Sequence, residues 1–193
     1  MNEFSKSIDE ADPIRSVFTP LIGLPAWNVQ KGYGSFLTFD FGVPHLSIRE
    51  PVDNPRTEHP NVRKRLQRRS VRPHGEFYLW IYCCHWRCAE NGVECAHDES
   101  ADAEIHAAAS FMDGQILRAV QVDPASGGSL FRFDLGATLE TWPYANDDND
   151  EQWSLEAQQK FYFSYRADGQ YSWAPHDCLP DQMIWKSLLR SQP

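Results

Sequence analysis

Two nine-residue segments of this chain echo each other, and both read as β-strands bounded by glycines. Residues 34–42 are Gly-Ser-Phe-Leu-Thr-Phe-Asp-Phe-Gly, and residues 128–136 are Gly-Ser-Leu-Phe-Arg-Phe-Asp-Leu-Gly. After a polar stretch, each is followed by an acid or amide, an aromatic, any residue and a leucine. These are Glu76-Phe77-Tyr78-Leu79 and Gln152-Trp153-Ser154-Leu155. Each then reaches an aromatic–arginine pair ahead of a glycine turn: Trp86-Arg87 before Gly92, and Tyr165-Arg166 before Gly169. A repeated unit of this kind predicts an internal duplication, with a first β-unit over about 34–92 and a second over about 116–173. The first copy carries an extra block, the Pro- and Arg-rich stretch from Pro51 to Pro73, which reads as an inserted, mobile loop.

Local signals point the same way. Ile116–Val122 and Ser129–Leu135 flank Asp123-Pro124-Ala125-Ser126-Gly127-Gly128 and should form a hairpin. Lys160–Arg166 and Gln170–Trp173, joined by Ala167-Asp168-Gly169, should form another. Glu76–Cys84 is apolar on both faces and is expected to be a central strand covered on both sides. One helix is expected between the units, over 101–112 with Ser100 as its cap, and a short one over 180–189. The expected fold class is therefore α+β, mainly antiparallel β, as a single domain over 1–193.

The formal charge of −9 argues against a general nucleic-acid binder. No run of 18 apolar residues is present, so neither a membrane span nor a membrane partner is expected. Glu3, Asp9, Glu10 and Asp12 stand where a signal peptide needs an apolar stretch, which leaves a cytoplasmic location as the expectation. Five cysteines, two of them adjacent (Cys83 and Cys84), do not make a secreted disulfide framework.

Three constellations carry chemistry-bearing residues. Cys84, Cys88, Cys95 and His97 could surround a zinc ion, but their spacing matches no short knuckle pattern, and buried thiols are the preferred reading. A cysteine nucleophile would need one of His85, His97 or His176 beside it, and spacing alone brings none there. Arg63, Lys64, Arg65, Arg68, Arg69 and Arg72 put six positive charges in ten residues, either as a solvated loop or as a contact for an acidic partner. At the matching place in the second half, Asp147, Asp148, Asp150 and Glu151 form an acidic loop, expected to lie near the basic one. With no phosphate-binding loop, dinucleotide fingerprint or hydrolase motif, no cofactor and no catalytic residue are assigned.

The segments Gly34–Gly42, Phe77–Arg87 and Gln152–Tyr171 resemble a group of small bacterial proteins of unassigned function. That group shares strands like Leu-Trp-Ile-Tyr-Cys-Cys-x-Trp-Arg, Gln-Trp-x-Leu and Arg-x-Asp-Gly-x-Tyr-Ser. The resemblance implies an immunity-type or toxin-neutralising protein and carries over no catalytic residue. The expected function is a non-enzymatic module binding another protein through a surface of its twisted sheet and the adjacent basic and acidic loops. The rival is a small-molecule binder or enzyme with a site between the two β-units.

Overall fold

The computed structural model describes residues 8–52, 59–145 and 149–189. A short helix α1 (Pro13–Phe18) leads into strands β1 (Ala26–Lys31), β2 (Leu37–Phe41) and β3 (His45–Arg49). Helix α2 (Pro60–Leu66) is followed by β4 (Ser70–His74), β5 (Phe77–Ile81), β6 (His85–Glu90) and β7 (Val93–His97). Helix α3 (Asp102–Met112) precedes β8 (Leu117–Asp123), β9 (Gly128–Phe133) and β10 (Ala137–Trp142). The chain ends with β11 (Glu151–Ala157), β12 (Phe161–Arg166), β13 (Gln170–Pro175) and a two-residue β14 (Lys186–Ser187). The α+β, mainly antiparallel architecture is thus present, and no helix among the described residues is long and apolar enough to cross a membrane.

The strands form a seven-stranded sheet, in the order β1-β2-β5-β11-β12-β13-β14, and a five-stranded one, β7-β6-β10-β9-β8. Strand alternation gives each sheet one apolar face, and these two faces meet. Cross-strand register lines up Phe39, Leu79, Leu155, Phe163 and Trp173 across the larger sheet. Ala96, Cys88, Leu139, Phe131 and Val120 line up across the smaller. Trp153, fully buried, lies between the layers, with its rings near those of Phe163 and Tyr165 on its own sheet and Phe131 on the other. Its indole N–H donates to Ser129 Oγ across the sandwich at 2.9 Å, and the indole of Trp86 donates to the Ser35 carbonyl at 2.7 Å. Helix α1 drives Phe18 edge-on against Phe131 and Trp153, while α3 buries Ile105, Ala108, Ala109 and Met112.

Both expected hairpins form, as β8–β9 and β12–β13. The pairing of the two echoing halves differs, however. In the first half, β2 pairs directly with β5; in the second, β9 lies in the smaller sheet and β11 in the larger. Phe39 and Phe133, matched in the echo, stack across the sandwich at 6.2 Å. The glycine-bounded pattern encodes a strand with one buried face, and either sheet can accept such a strand.

Three local expectations are corrected. The 180–189 helix is a single turn, Pro180–Gln182, followed by β14, because β13 offers an open edge to pair with. The cap of α3 is Ala101, not Ser100: the Ser100 hydroxyl accepts from the His97 N–H, and Glu104 accepts from the Ala101 N–H. Strand β5 is central, but only Phe77, Leu79 and Ile81 are buried; Trp80, on its other face, is 37% exposed.

This two-faced strand makes a sharp prediction. Leu79→Ala should cost about 2–5 kcal/mol of unfolding free energy, and Trp80→Ala under about 2 kcal/mol. Urea denaturation of both variants checks it, and equal losses would show that the outer face is covered.

Candidate functional site

The basic block is a built arm, not a structureless loop. β3 and β4 pair along their length as a two-stranded ribbon that joins neither main sheet, and α2 sits at its tip. The Arg49 guanidinium donates to the carbonyls of Arg65, Leu66 and Arg68 at 2.9–3.2 Å. A cation there satisfies carbonyls that the end of α2 leaves without intrahelical partners. Val52 N–H donates to the same Leu66 carbonyl, and Arg69 forms a two-pronged pair with Glu50. The ordering that composition alone does not supply comes from these polar ties.

The base of the arm is fixed by a buried carboxylate. Asp40, 1% exposed, accepts from Asn28 Nδ2 at 2.7 Å and from the Gly75 N–H at 2.8 Å, with His74 Nδ1 at 3.5 Å. Gly75 is required for close approach, because a Cβ there would meet the Phe41 carbonyl oxygen at 2.4 Å. His74 also lies over Tyr78, and His45 meets the side chain of Gln159.

The two faces of the ribbon differ sharply. Ser47, Arg49, Arg65, Arg68, Arg69, Ser70, Arg72 and His74 line a cleft of about 450 Å³, and among the described residues no acidic side chain is in its wall. On the opposite register positions, Leu46, Ile48 and Val71 stand 67%, 56% and 52% exposed. Residues 45–74 hold eight of the 18 basic and three of the 27 acidic side chains, so this segment is +5 and the rest of the chain −14.

Of the residues singled out in the sequence, Arg63, Lys64 and Arg65 lie on α2, and Arg68 and Arg69 follow it. Asp147 and Asp148 lie outside the described residues. Asp150 and Glu151 do not join the arm. The Asp150 carbonyl accepts from the Ala167 N–H, and the Glu151 carboxylate accepts from the Tyr82 hydroxyl at 2.7 Å. Both sit at the opposite end of β11 from Gln159, where the arm meets the sandwich, so these two acids do not neutralise the arm, in which Arg69 pairs with Glu50.

The cysteines and histidines are otherwise engaged. Cys84 and Cys88 are buried, and the Cys95 thiol donates to the Cys88 carbonyl. His85 Nδ1 meets Asp98 at 2.9 Å, His97 Nδ1 meets Glu94 at 3.0 Å, and His176 stacks on Tyr162. Among the described residues no three of His, Cys, Asp or Glu converge to hold a metal ion. Strands of both expected β-units contribute to each sheet, and the space between the sheets is filled by the aromatic core. A hollow does exist on the outer face of the larger sheet, floored by Ser154 and Ser164 and walled by Tyr78, Trp80, Tyr82 and Tyr162. Alternation along 78–82 is its sequence signal, obscured by apolar residues on both faces that suggest a covered strand.

Two outcomes test this geometry. Burial, then the charge of Asp98, pushes the Cys84 thiol well up, and burial, then the Cys95 hydrogen bond, does the same for Cys88. A raised thiol pKa leaves little thiolate at a pH where free cysteine reacts. Alkylation in mildly alkaline buffer, read by mass spectrometry, should modify exposed Cys95 in the native protein and reach Cys84 and Cys88 only on denaturation. Asp40→Ala should lower unfolding free energy by about 1–3 kcal/mol, since it leaves the buried Gly75 N–H unpaired, and calorimetric melting would show it.

No protein-family model matches this chain, and no curated protein or solved structure matches it either, so its function rests on the geometry above.

Proposed function

We propose that the protein is a non-enzymatic binding module that holds another protein by its β3–β4 arm. The observation that carries this reading is the arm's construction. A lone two-stranded ribbon is marginal in water, yet this one leaves the sandwich with apolar side chains bare on one face and arginines on the other. Contiguous exposed apolar side chains rimmed by charge are what a partner covers. The cationic cleft selects an acidic segment, and the net −14 of the remaining chain repels that same partner elsewhere, steering it to the arm. The resemblance to small bacterial proteins of unassigned function, which implies an immunity-type role, supports a bacterial toxin or effector as the class of partner, and the cationic cleft calls for an acidic surface on it.

Two variants separate the contributions. One carries Arg65→Glu, Arg68→Glu and Arg72→Glu; the other carries Leu46→Ser, Ile48→Ser and Val71→Ser. None of these side chains is buried in the sandwich, so melting should stay unchanged. Co-purification from the source cell, quantified by mass spectrometry, should recover a protein bound by the parent chain and lost from both variants. Binding of that protein should weaken with salt for the parent, and any residual contact made by the arginine variant should hardly respond to salt. Identical recovery with all three chains would overturn the assignment to the arm. A parent dimer in sedimentation, dissociated by both variants, would make a second copy the partner.

A further inference from the structure

The hollow on the outer face of the seven-stranded sheet is separate from the arm cleft and has a different chemistry. Its volume is about 350 Å³, within the range of small-ligand sites. Register explains its shape. One cross-strand row reads Thr38, Trp80, Ser154, Ser164 and Ser172, and the next reads Asp40, Tyr78, Glu156, Tyr162 and Ala174. The small side chains of Ser154, Ser164 and Ala174 form the floor. Trp80 and Tyr82, with ring centroids 4.4 Å apart, and the rings of Tyr78 and Tyr162 rise around it. Pro175, Cys178 and Met183 close the side next to β13.

Among the described residues two carboxylates line the hollow, Glu151 and Glu156, and no basic side chain does. Each accepts a tyrosine hydroxyl, Glu151 from Tyr82 at 2.7 Å and Glu156 from Tyr162 at 3.0 Å. Burial, then the neighbouring glutamate, pushes both phenols up, so they remain donors. Arg166 stands cross-strand from Glu151, but its guanidinium binds Asp168 at 2.7 Å and lies over the Trp185 ring. The carboxylates are five residues apart on β11, about 15 Å of extended chain. The hollow is therefore a trough with an acid near each end and aromatic faces between them. π-Faces and carboxylates both attract cations, and an aliphatic stem packs on the rings.

We propose that this trough binds a linear aliphatic oligoamine, its terminal ammonium groups on Glu151 and Glu156 and its methylene chain along Trp80 and Tyr82. The site is independent of the arm, and neither proposal needs the other. Calorimetric titration of the full chain with spermidine, at about 150 mM salt to screen diffuse attraction to an acidic protein, tests it. The expected result is one saturable site, weakened at least tenfold by Glu151→Gln, by Glu156→Gln and by Trp80→Ala, with a neutral diol of equal length failing to bind. The two glutamine variants keep shape and volume, and unchanged melting shows that they fold. Absence of saturable binding at millimolar spermidine would overturn the proposal, as would a curve unaltered by these variants. Butylammonium binding as tightly as spermidine would overturn the two-ended reading and assign the trough to a single lysine side chain.

Discussion

Trp153 is the residue around which the two layers are organised. It sits fully buried on a middle strand of the larger sheet, with rings from both sheets and from α1 around it, and its indole N–H finds Ser129 across the interface. A buried indole without an acceptor would cost desolvation that packing alone does not recover. The contact therefore sets the relative position of the sheets as well as their separation. With the inner faces closed on each other in this way, whatever the protein binds must be met by an outer face, an edge or an excursion from the sandwich.

Both candidate sites follow from that closure. The arm leaves between β2 and β5, neighbouring strands of the larger sheet, and is anchored where Asp40 gathers Asn28, His74 and the Gly75 N–H. Because β2 and β5 remain paired, the ribbon can project without opening the core. The trough lies on the same outer face, and one of its rows starts at Asp40, with Tyr78 and Glu156 continuing the cross-strand line. Tyr78, in the wall of the trough, touches His74, in the wall of the arm cleft, so the two sites adjoin through one ring contact while drawing on opposite charges.

Some of this was legible in the residues alone. Alternation and turn chemistry identified the β8–β9 and β12–β13 hairpins, since a short loop of Gly, Asp and Pro leaves neighbouring strands few ways to pair. The spacing of Ile105, Ala108, Ala109 and Met112 placed α3 because that periodicity has a single buried face. The arginine cluster was visible as charge, but its order was not. The Arg49 contacts to carbonyls of residues 65, 66 and 68 join positions about sixteen to nineteen apart, which no local pattern reports.

What the chain determined by itself was which residues alternate, where it turns and how its charge divides: strands with one apolar face, two hairpins, one helix and a basic segment in an acidic protein. Which sheet each strand joined was left to the tertiary structure. The segments 34–42 and 128–136 are near-copies, yet β2 and β9 lie in opposite layers, because a strand with one buried face satisfies either sheet and long-range pairing chooses between them. The same holds for 78–82. Its aromatic residues read as buried on both faces, and only the closing of the sandwich on Leu79 and Ile81 left Tyr78, Trp80 and Tyr82 facing outward over Ser154 and Ser164. Side-chain pattern specifies a preference for burial, but the number of faces available to bury against is a property of the assembled layers.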